Sequence, residues 1–473
     1  MKPVIKFLRF ILLYLILVLI TSGCATYYQQ NLVFQDHFVS GEIEEANKVL
    51  DKTRKKVKKR DQLLYYLQKG VVLQMLGAYE ESNTYLERAY IFADDYRKNP
   101  VRQAAALLTN PSVTVYTGED HELVLIHYYK ALNFLKLGDY EAALVECRRL
   151  NNRLNYMNDR YERRKNRYRQ DAFAMNLMGI VYEASGDVNN AFIAYRNAYA
   201  AYKEDYRKYF NTAIPLQLKK DLLRTAYLNG FYTELDWYER EFNMNYEYRP
   251  KPAGELVFFW HNGLGPIKDE WSVNFFIVKG EGGGVIFENE EYGWSFPFYD
   301  YQSGKDNGGL GDLKFIRVAF PKYLERIPVY RSAELSVDAE TYPMEKAENI
   351  NAIALSTLED RMLREMGNAL LRLALKQAAE EKVRDKNKHL GALLSVINAT
   401  TEKADTRNWQ TLPYNIFYAR VPLPEGNNEV RLKTYAPREQ QWEEHIFEFQ
   451  VDRGETLFQT FHSLESYSPR LAP

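Results

Sequence analysis

The sequence predicts an α+β protein of several domains, in which an N-terminal array of α-helical repeats precedes an antiparallel, β-rich, sandwich-like body with an inserted helical segment. The chain has 473 residues, more than one ordinary hydrophobic core holds. Up to about residue 248 its apolar residues recur with a helical period, and the pattern repeats. Beyond that point short β-branched and aromatic runs alternate with turn residues, which indicates strands.

The first 23 residues are typical of a secretory signal peptide. Three basic residues precede an unbroken apolar run at 10–20, which is shorter than the roughly 20 residues that a membrane-spanning helix needs. Thr21-Ser-Gly23 then leads into Cys24. This segment resembles a lipobox, which implies that residues 1–23 are removed and that Cys24 becomes the lipidated N-terminus. Because no Asp follows Cys24, the resemblance to lipoproteins also implies sorting to the outer membrane, with the protein facing the periplasm.

Residues 24–248 are predicted to form tetratricopeptide-like helical repeats. Four segments have similar sequences, and in each of them the glycine at the second position is predicted to lie at a helix–helix turn. They are Ser40-Gly-Glu-Ile-Glu-Glu-Ala46, Leu76-Gly-Ala-Tyr-Glu-Glu-Ser82, Leu137-Gly-Asp-Tyr-Glu-Ala-Ala143 and Ser185-Gly-Asp-Val-Asn-Asn-Ala191. A small residue stands seven positions before three of these glycines, and large and small residues follow in the next helix. Several offsets therefore agree with the tetratricopeptide pattern. Uneven spacing between the glycines predicts insertions around residues 99–119 and 155–169.

Two basic runs occur at predicted helix ends, at residues 52–60 and 160–169. The simpler interpretation is a solvated helical face, and the alternative is contact with anionic lipid headgroups or an acidic partner. The formal net charge of −1 argues against a nucleic-acid-binding protein, whose domain is usually strongly basic. Because Cys147 is the one cysteine left after Cys24, no intrachain disulfide is expected, and Cys147 is interpreted as a small buried residue.

The remaining chain is divided into a β-rich first part at 249–346, an inserted helical segment at 347–403 and a β-rich second part at 404–473. Strands are predicted at residues 255–261, 271–278, 284–287, 294–299, 314–320, 327–337, 414–421, 429–435, 445–451 and 456–461. The last four strands resemble half of a small β-sandwich. In the inserted segment, one helical face carries Leu355, Leu358, Met362, Met366, Leu370 and Leu373, and we expect it to pack against the sheets. Residues 390–399 are apolar nearly all round, which indicates either burial or contact with a membrane or partner.

Four pieces of the second half carry a resemblance to a family. They are Glu402-Lys-Ala-Asp-Thr-Arg-Asn-Trp-Gln-Thr-Leu-Pro413, Trp260-His-Asn-Gly-Leu-Gly-Pro-Ile-Lys268, the helix around residues 361–376, and Val421-Pro-Leu-Pro-Glu-Gly426. Together with the lipobox and the repeats, they resemble an uncharacterised family of bacterial tetratricopeptide lipoproteins. The resemblance implies a role in the cell envelope and carries no established activity.

The sequence contains no recognisable catalytic motif. Asp405, Arg407 and Trp409 could form a binding site, or Asp405 could pair with Arg407 while Trp409 packs at a junction. His261, next to Trp260, precedes a glycine-containing turn that lacks the spacing of a phosphate-binding loop. The histidines show no metal-binding spacing, and neither a metal nor a cofactor is predicted.

These observations favour a non-enzymatic scaffold or adaptor for envelope proteins, held on the membrane by Cys24. A groove of the repeat array lined by tyrosines, which number 37 in the chain, would bind a segment of a protein partner. The alternative is an envelope enzyme or a protein that binds a cell-wall polymer, with its site near His261 and residues 405–409. That alternative requires these residues to line one pocket.

Overall fold

The fold is described here from a computed structural model that covers residues 31–97, 111–160, 166–250, 252–279, 285–298, 315–386 and 403–471. The predicted signal peptide, Cys24 and the apolar stretch at 390–399 lie outside these residues. In the described residues, no helix has the length and apolar character needed to cross a membrane.

Helices arranged as hairpins form the first half of the chain. They are α1 (Leu32–Val39), α2 (Ile43–Thr53), α3 (Gln62–Met75), α4 (Tyr79–Arg97), α5 (Asp120–Lys136), α6 (Tyr140–Arg160), α7 (Ala172–Ala184), α8 (Val188–Ala201), α9 (Leu216–Leu228) and α10 (Tyr232–Phe242). After α8 the helix continues through a π turn, Tyr202–Tyr206, and one further turn, Arg207–Tyr209. The predicted helical-repeat half of the fold is confirmed.

Each predicted repeat glycine lies in the turn of a hairpin. Gly41, Gly77, Gly138 and Gly186 all have positive φ angles, between 75° and 86°, which residues with a Cβ adopt at a cost. Gly230, between α9 and α10, has the same geometry (φ 73°) and marks a further hairpin that the sequence alignment missed. The left-handed glycine thus ends the first helix of each pair and lets the chain reverse.

The small residues in the first helices allow close helix packing, as predicted. A Cβ placed on Gly70 of α3 would lie 2.6 Å from Leu86 of α4, and one on Gly179 of α7 would lie 2.3 Å from the Tyr195 ring of α8. The predicted large residues of the second helices therefore fill the space that the glycines leave. Cys147, on α6, is buried, and burial raises the pKa of its thiol to about 12.

In the second half, the residues that the structure describes form three sheets. Its strands are β1 (Gly254–Asn262), β2 (Ile267–Lys279), β3 (Val285–Asn289), β4 (Trp294–Phe298), β5 (Phe315–Glu325), β6 (Ser332–Val337), β7 (Glu340–Pro343), β8 (Glu345–Asn349), β9 (Asn415–Leu423), β10 (Gly426–Ala436), β11 (Gln441–Val451), β12 (Thr456–Ser463) and β13 (Arg470–Leu471). Their orders are β12-β1-β9-β8, β11-β10-β6-β7 and β13-β5-β2-β3-β4. We call these the central, outer and lateral sheets. The combination of helices with mainly antiparallel sheets confirms the α+β class.

The central sheet lies between the helical array and the outer sheet. Leu256, Phe258 and Trp260 of β1 share a buried cluster with residues of the outer sheet, whereas Val257 and Phe259 share one with the helices. This alternation follows the two-residue period of a strand, which sends successive side chains to opposite faces. Because both faces of β1 are covered, the five residues at 256–260 are all apolar. The hydrophobic core therefore continues across the predicted domain boundary at 248/249.

The sheet predictions need three corrections. The assembly is not purely antiparallel, because β12 pairs with β1 in parallel, from Glu255 opposite Thr456 to Asn262 opposite Ser463. The last four long strands do not form one half-sandwich, because β9 and β12 belong to the central sheet and β10 and β11 to the outer sheet. The helix predicted from residue 347 begins at Ile350, since residues 345–349 form β8 beside β9.

The inserted helix, α11 (Ile350–Lys386), packs on the lateral sheet. Met362, Met366, Leu370 and Leu373 of its predicted apolar face share a cluster with Phe275 and neighbouring strand residues. Leu355 and Leu358 pack with Tyr323 of β5. The apolar face was thus predicted correctly, and it packs on the sheet as expected.

Candidate functional site

The residues singled out in the sequence lie at the contact between the helical array and the central sheet. Trp260 and His261 are neighbours on β1 and face opposite sides. Trp260 is fully buried towards the outer sheet, where its indole Nε1 donates to the Ser463 hydroxyl at 2.9 Å and its ring meets that of Phe417 with centroids 4.8 Å apart. Trp260 is therefore a core residue of the sandwich.

His261 faces the helices. Its Nε2 lies 2.8 Å from the Tyr128 hydroxyl of α5, and its ring is 4.5 Å from that of His462, its partner in the β1–β12 register. Burial, together with the nearby His462, lowers the pKa of His261 well below its usual value, so the imidazole is neutral. A neutral, buried imidazole held between two rings forms part of the packed interface.

Asp405 and Arg407 form a two-point ion pair. The Arg407 Nε and Nη2 atoms each donate to a different Asp405 oxygen at 2.8 Å. The guanidinium Nη1 also donates to the backbone oxygens of Arg60 and Thr114, at 2.9 and 3.0 Å. Burial alone would lower the pKa of Arg407, but its carboxylate partners raise it above the usual range. Arg407 thus ties the segment before β9 to two loops of the array.

Trp409 is buried two residues further on. Its backbone N–H donates to Glu122 at 2.6 Å, its indole donates to the Thr411 hydroxyl at 2.8 Å, and its ring lies 5.5 Å from that of Tyr129. The Tyr129 ring also meets His261, at 5.7 Å. The structure therefore brings His261 and Trp409 to the two sides of one tyrosine.

These residues do not line an open pocket together. Trp260, His261 and Trp409 are each at most 1% exposed, and Arg407 is 5% exposed. An open cavity of about 340 Å³ is lined by other residues, around Gly41 and Leu76 at the first two hairpin turns. Among the described residues no group of three or more His, Cys, Asp or Glu side chains is arranged to hold a metal ion.

A buried ionic cluster, missed in the sequence, joins α5 to the lateral sheet and α11. One oxygen of Glu119 contacts the Lys268 ammonium, and the other contacts the Arg361 guanidinium. Burial alone would raise the pKa of Glu119, but Arg361 and Lys268 outweigh it and lower its pKa to about 2. The carboxylate is therefore ionised and neutralised on both sides.

Glu122, one helical turn after Glu119, is the most unusual acid of the interface. It accepts from the Tyr116 hydroxyl at 2.7 Å, from the Glu119 N–H at 3.0 Å and from the Trp409 N–H. Burial and the charge of Glu119 raise the pKa of Glu122 to about 7, against the effect of these donors. Glu119 and Glu122 also form a capping box at the start of α5, so the same carboxylate caps a helix and holds the Trp409 segment.

A second buried cluster surrounds Arg420 of β9. Its guanidinium contacts Glu183 of α7 at 2.8 Å, Asp221 of α9 at 3.1 Å and Glu255 of β1 at 2.6 Å. Arg224 of α9 completes the cluster through two 2.8 Å bonds to Glu183. Burial opposes the charge of Glu183, but Arg420 and Arg224 lower its pKa far below the usual range. One arginine of the sheet thus connects two helices of the array.

The predicted tyrosine-lined groove is occupied by the protein's own sheet. Tyr128, Tyr129, Tyr195, Tyr202 and Tyr206 are all at most 2% exposed. The Tyr202 hydroxyl donates to the Ala347 oxygen of β8 at 2.8 Å, and the Tyr195 hydroxyl accepts from Arg420 at 3.0 Å. The prediction that these tyrosines present an open surface to a partner is wrong, because the central sheet covers them.

Signals for the missed residues were present in the sequence. Arg420 interrupts an apolar strand, and a charged side chain on a fully buried strand requires a partner of opposite charge. Glu119 and Glu122 have the three-residue separation of a capping box. The sequence does not show which distant residues complete each cluster.

Comparisons with known proteins leave the family open. No model of a known protein family matches the chain, and no curated protein sequence matches it. Solved structures resemble about half of it. A MamA protein shares 13% identity over 46% of this chain and 96% of its own, with a TM-score of 0.29. MamA from Desulfovibrio magneticus RS-1 shares 17% identity over 46% and 93%, with a TM-score of 0.29.

A third structure has TPR-like repeats of a putative kinesin light chain from Podosopora anserina. It shares 14% identity over 47% of this chain and 96% of its own, with a TM-score of 0.31. Similarity at this level carries no conclusion about what the present protein does.

Proposed function

We propose that this protein is a lipoprotein anchored to the outer membrane through Cys24, facing the periplasm, and that it is a non-enzymatic scaffold for protein–protein interaction in cell-envelope assembly or maintenance. The signal-like N-terminus and the lipobox resemblance support the anchor. The resemblance to a family of bacterial tetratricopeptide lipoproteins supports the envelope role.

The observation that carries the scaffold proposal is the buried contact between array and sheets. Its candidate chemical groups, His261 and Arg407 among them, are packed and paired rather than open to a substrate. Ionic clusters at Glu119 and Arg420 cross this contact at separate places, from Glu119 to Lys268 and from Arg420 to Glu183. Such a body holds its outer surfaces in fixed relative positions, which is what a scaffold requires.

Partners are expected on the outer surface, since the groove is filled. Exposed aromatic side chains occur on the last hairpin and just after it, where Tyr232, Trp237 and Tyr248 are 62%, 48% and 58% exposed. The Tyr227 ring meets those of Tyr232 and Tyr248, so these three tyrosines form one aromatic cluster, and the Trp237 ring meets that of Tyr238 on the same helix. Exposed aromatic groups of this kind are enriched at protein interfaces.

In-cell photo-crosslinking tests the proposal. A photoreactive residue at Trp237 should capture one or two envelope proteins reproducibly, whereas the same residue at Lys220, a polar exposed position on the neighbouring helix, should not. The Cys24→Ala chain, which cannot be lipidated, should lose the captured proteins. Crosslinks only to the chain itself or to cell-wall material would remove the scaffold proposal.

The alternative, an envelope enzyme or a cell-wall-polymer-binding protein, needs a site near His261 and residues 405–409. These side chains would have to separate from Tyr128, Tyr129 and Glu122 before they could touch a substrate. Binding or cleavage of purified cell-wall polymer that is lost in a His261→Phe variant with an unchanged thermal midpoint would favour this alternative.

A further inference from the structure

The course of the first hairpin shows which end of the array lies nearest the start of the mature chain. α1 begins at Leu32, the chain reverses at Gly41, and α2 returns to Thr53. With 1.5 Å of rise per residue, α1 is about 12 Å long and α2 about 16 Å. Because the two helices are antiparallel, Thr53 and the residues after it lie beside or just beyond the start of α1.

This end carries the basic run predicted at residues 52–60. The run contains seven basic and no acidic residues. Its members Lys52, Arg54, Lys55, Lys56 and Lys58 are exposed, and we call them the basic end. Within the described part of the chain none of the five forms an ion pair. Lys59 and Arg60 differ, since Lys59 lies over the Tyr96 ring and Arg60 pairs with Asp61.

Two apolar side chains are exposed at the same end of the hairpin. Leu32 and Val33, in the first turn of α1, are 43% and 64% exposed. Exposed apolar groups beside a cluster of lysines are typical of segments that lie at a membrane–water interface. A solvated helical face explains the lysines but not the apolar pair next to them.

The chain length before α1 limits how far this end can be from a lipid on Cys24. Leu32 follows Cys24 by eight positions, which span about 28 Å when fully extended. A flexible chain of that length averages about 15 Å. The potential of an anionic surface extends about 8–10 Å at physiological salt. Side chains of lysine length at the basic end can therefore reach the headgroup layer.

We propose that the basic end is a second membrane contact, which binds anionic lipid headgroups of the bilayer that holds Cys24 and orients the array on it. This inference rests on the proposed function, because it takes Cys24 as the anchor. A lipid surface is favoured over an acidic protein because the anchor would keep this end near headgroups in every copy, and because the exposed apolar pair adjoins it. The lipid on Cys24 would hold the protein on the bilayer, and the basic cluster would add an electrostatic attraction that orients it there.

Vesicle flotation of the unlipidated Cys24→Ala mature chain tests the inference without the anchor. The chain should float with vesicles rich in phosphatidylglycerol and not with phosphatidylcholine alone, and added salt should release it. Replacing Lys52, Lys55, Lys56 and Lys58 together by Glu should reduce the partition coefficient tenfold or more. The matched control reverses four exposed charges elsewhere in the array, Arg196, Arg207, Lys208 and Lys220, and should change it less than twofold.

Equal partition of the two quadruple variants, or no flotation of the parent chain with anionic vesicles, would overturn the proposal. It would also be overturned if reversal left vesicle binding intact and instead abolished an in-cell crosslink to an acidic protein. Matching thermal midpoints of the variants establish that both are folded. A failure of the anchor proposal would show separately, as a mature protein from cells whose Cys24 carries no lipid by mass spectrometry.

Discussion

The hydroxyl of Tyr128 lies 2.8 Å from Nε2 of His261, and this contact crosses from the helical array to the central sheet. The two residues are 133 positions apart in the sequence and both are buried. Such a pair couples the stability of the array to that of the sheets.

The Tyr128 ring and hydroxyl should contribute separately to stability. Tyr128→Phe removes only the hydrogen bond to His261 and should lower the free energy of unfolding by about 1–3 kcal/mol. Tyr128→Ala also leaves a cavity and should lower it by about 3–5 kcal/mol. Denaturant titrations measure both, with Tyr232→Ala, at an exposed position, as the control expected to change little. A Tyr128→Ala protein as stable as the parent would mean that the groove is not filled.

Arg420→Met should destabilise the protein by about 3–5 kcal/mol, because it leaves Glu183, Asp221 and Glu255 without their shared cation. Arg431 pairs with Glu429 on the exposed face of the outer sheet, and Arg431→Met should cost less than about 1 kcal/mol. Thermal and denaturant unfolding distinguish the two. Equal effects would contradict the buried placement of Arg420.

The substitution Glu183→Gln should destabilise the Arg420→Met variant less than it destabilises the parent protein. In the parent, Glu183→Gln removes a negative charge that Arg420 and Arg224 together neutralise. In the Arg420→Met variant, it removes a carboxylate that has already lost one of these two partners. A double-mutant cycle measures this coupling. Additive effects of the two substitutions would show that the residues act independently.

Gly179→Ala should destabilise the fourth predicted repeat through steric overlap. Its Cβ would meet the Tyr195 ring at 2.3 Å, and that ring is held by hydrogen bonds to Glu183 and Arg420. The expected loss is about 1–3 kcal/mol. Gly367→Ala is the packing control, because a Cβ there meets only Phe296 at an ordinary 3.9 Å. Unfolding curves in which the Gly367 variant is the less stable would refute the argument.

Buried histidines should make the fold sensitive to acid. Burial lowers the pKa of His121 and of His462 to about 4, and that of His261 lies well below its usual value. In the unfolded chain each titrates near 6.5. The unfolded state then binds more protons between about pH 6.5 and 4, so stability is complete above this window and falls as the pH is lowered through it. Each of these histidines should lower the free energy of unfolding by about 2 kcal/mol at pH 5, relative to its value above pH 6.5.

Glu122 should have the opposite effect on the pH dependence of stability. Its pKa is raised to about 7, so its contribution is complete below about pH 4.5 and is lost as the pH rises through 7. Replacing His121 by Gln separates the histidine effect from that of Glu122, because Glu122 is left in place. His121→Gln should flatten the fall of the unfolding free energy between pH 6.5 and 5, and an unchanged slope would contradict the burial of a neutral His121.

Local patterns predicted the helical half well. Gly77 and Gly186 stand at turns because a left-handed residue must end the first helix of a hairpin, and this requirement is visible in the sequence. Gly230 was missed because the residues around it match the repeat less closely, although its backbone conformation is the same. The apolar face of α11 was also visible, since a helical period identifies it without knowledge of the sheet that it covers.

Pairings between distant residues could not be predicted in the same way. The strand period shows that Trp260 and His261 face opposite sides, but not that one meets Ser463 and the other Tyr128. The abundant tyrosines suggested an open groove because a helical face lined by aromatic side chains has the same composition whether a partner or the chain itself covers it. Residues 347–349 of β8 are predicted as part of the following helix because Ala347 and its charged neighbours have helical propensity, which pairing with β9 overrides.

The parallel pairing of β1 with β12 joins two strands that lie far apart along the chain, Gly254–Asn262 and Thr456–Ser463. The central sheet can therefore be completed, and the helical array covered, only after β12 has left the ribosome and, if the chain is exported, the translocation channel. Until then the apolar faces of the helices have no strand to cover them. A chain built in this order depends on long-range closure, which is slow, and its uncovered helix faces are exposed to aggregation until closure occurs.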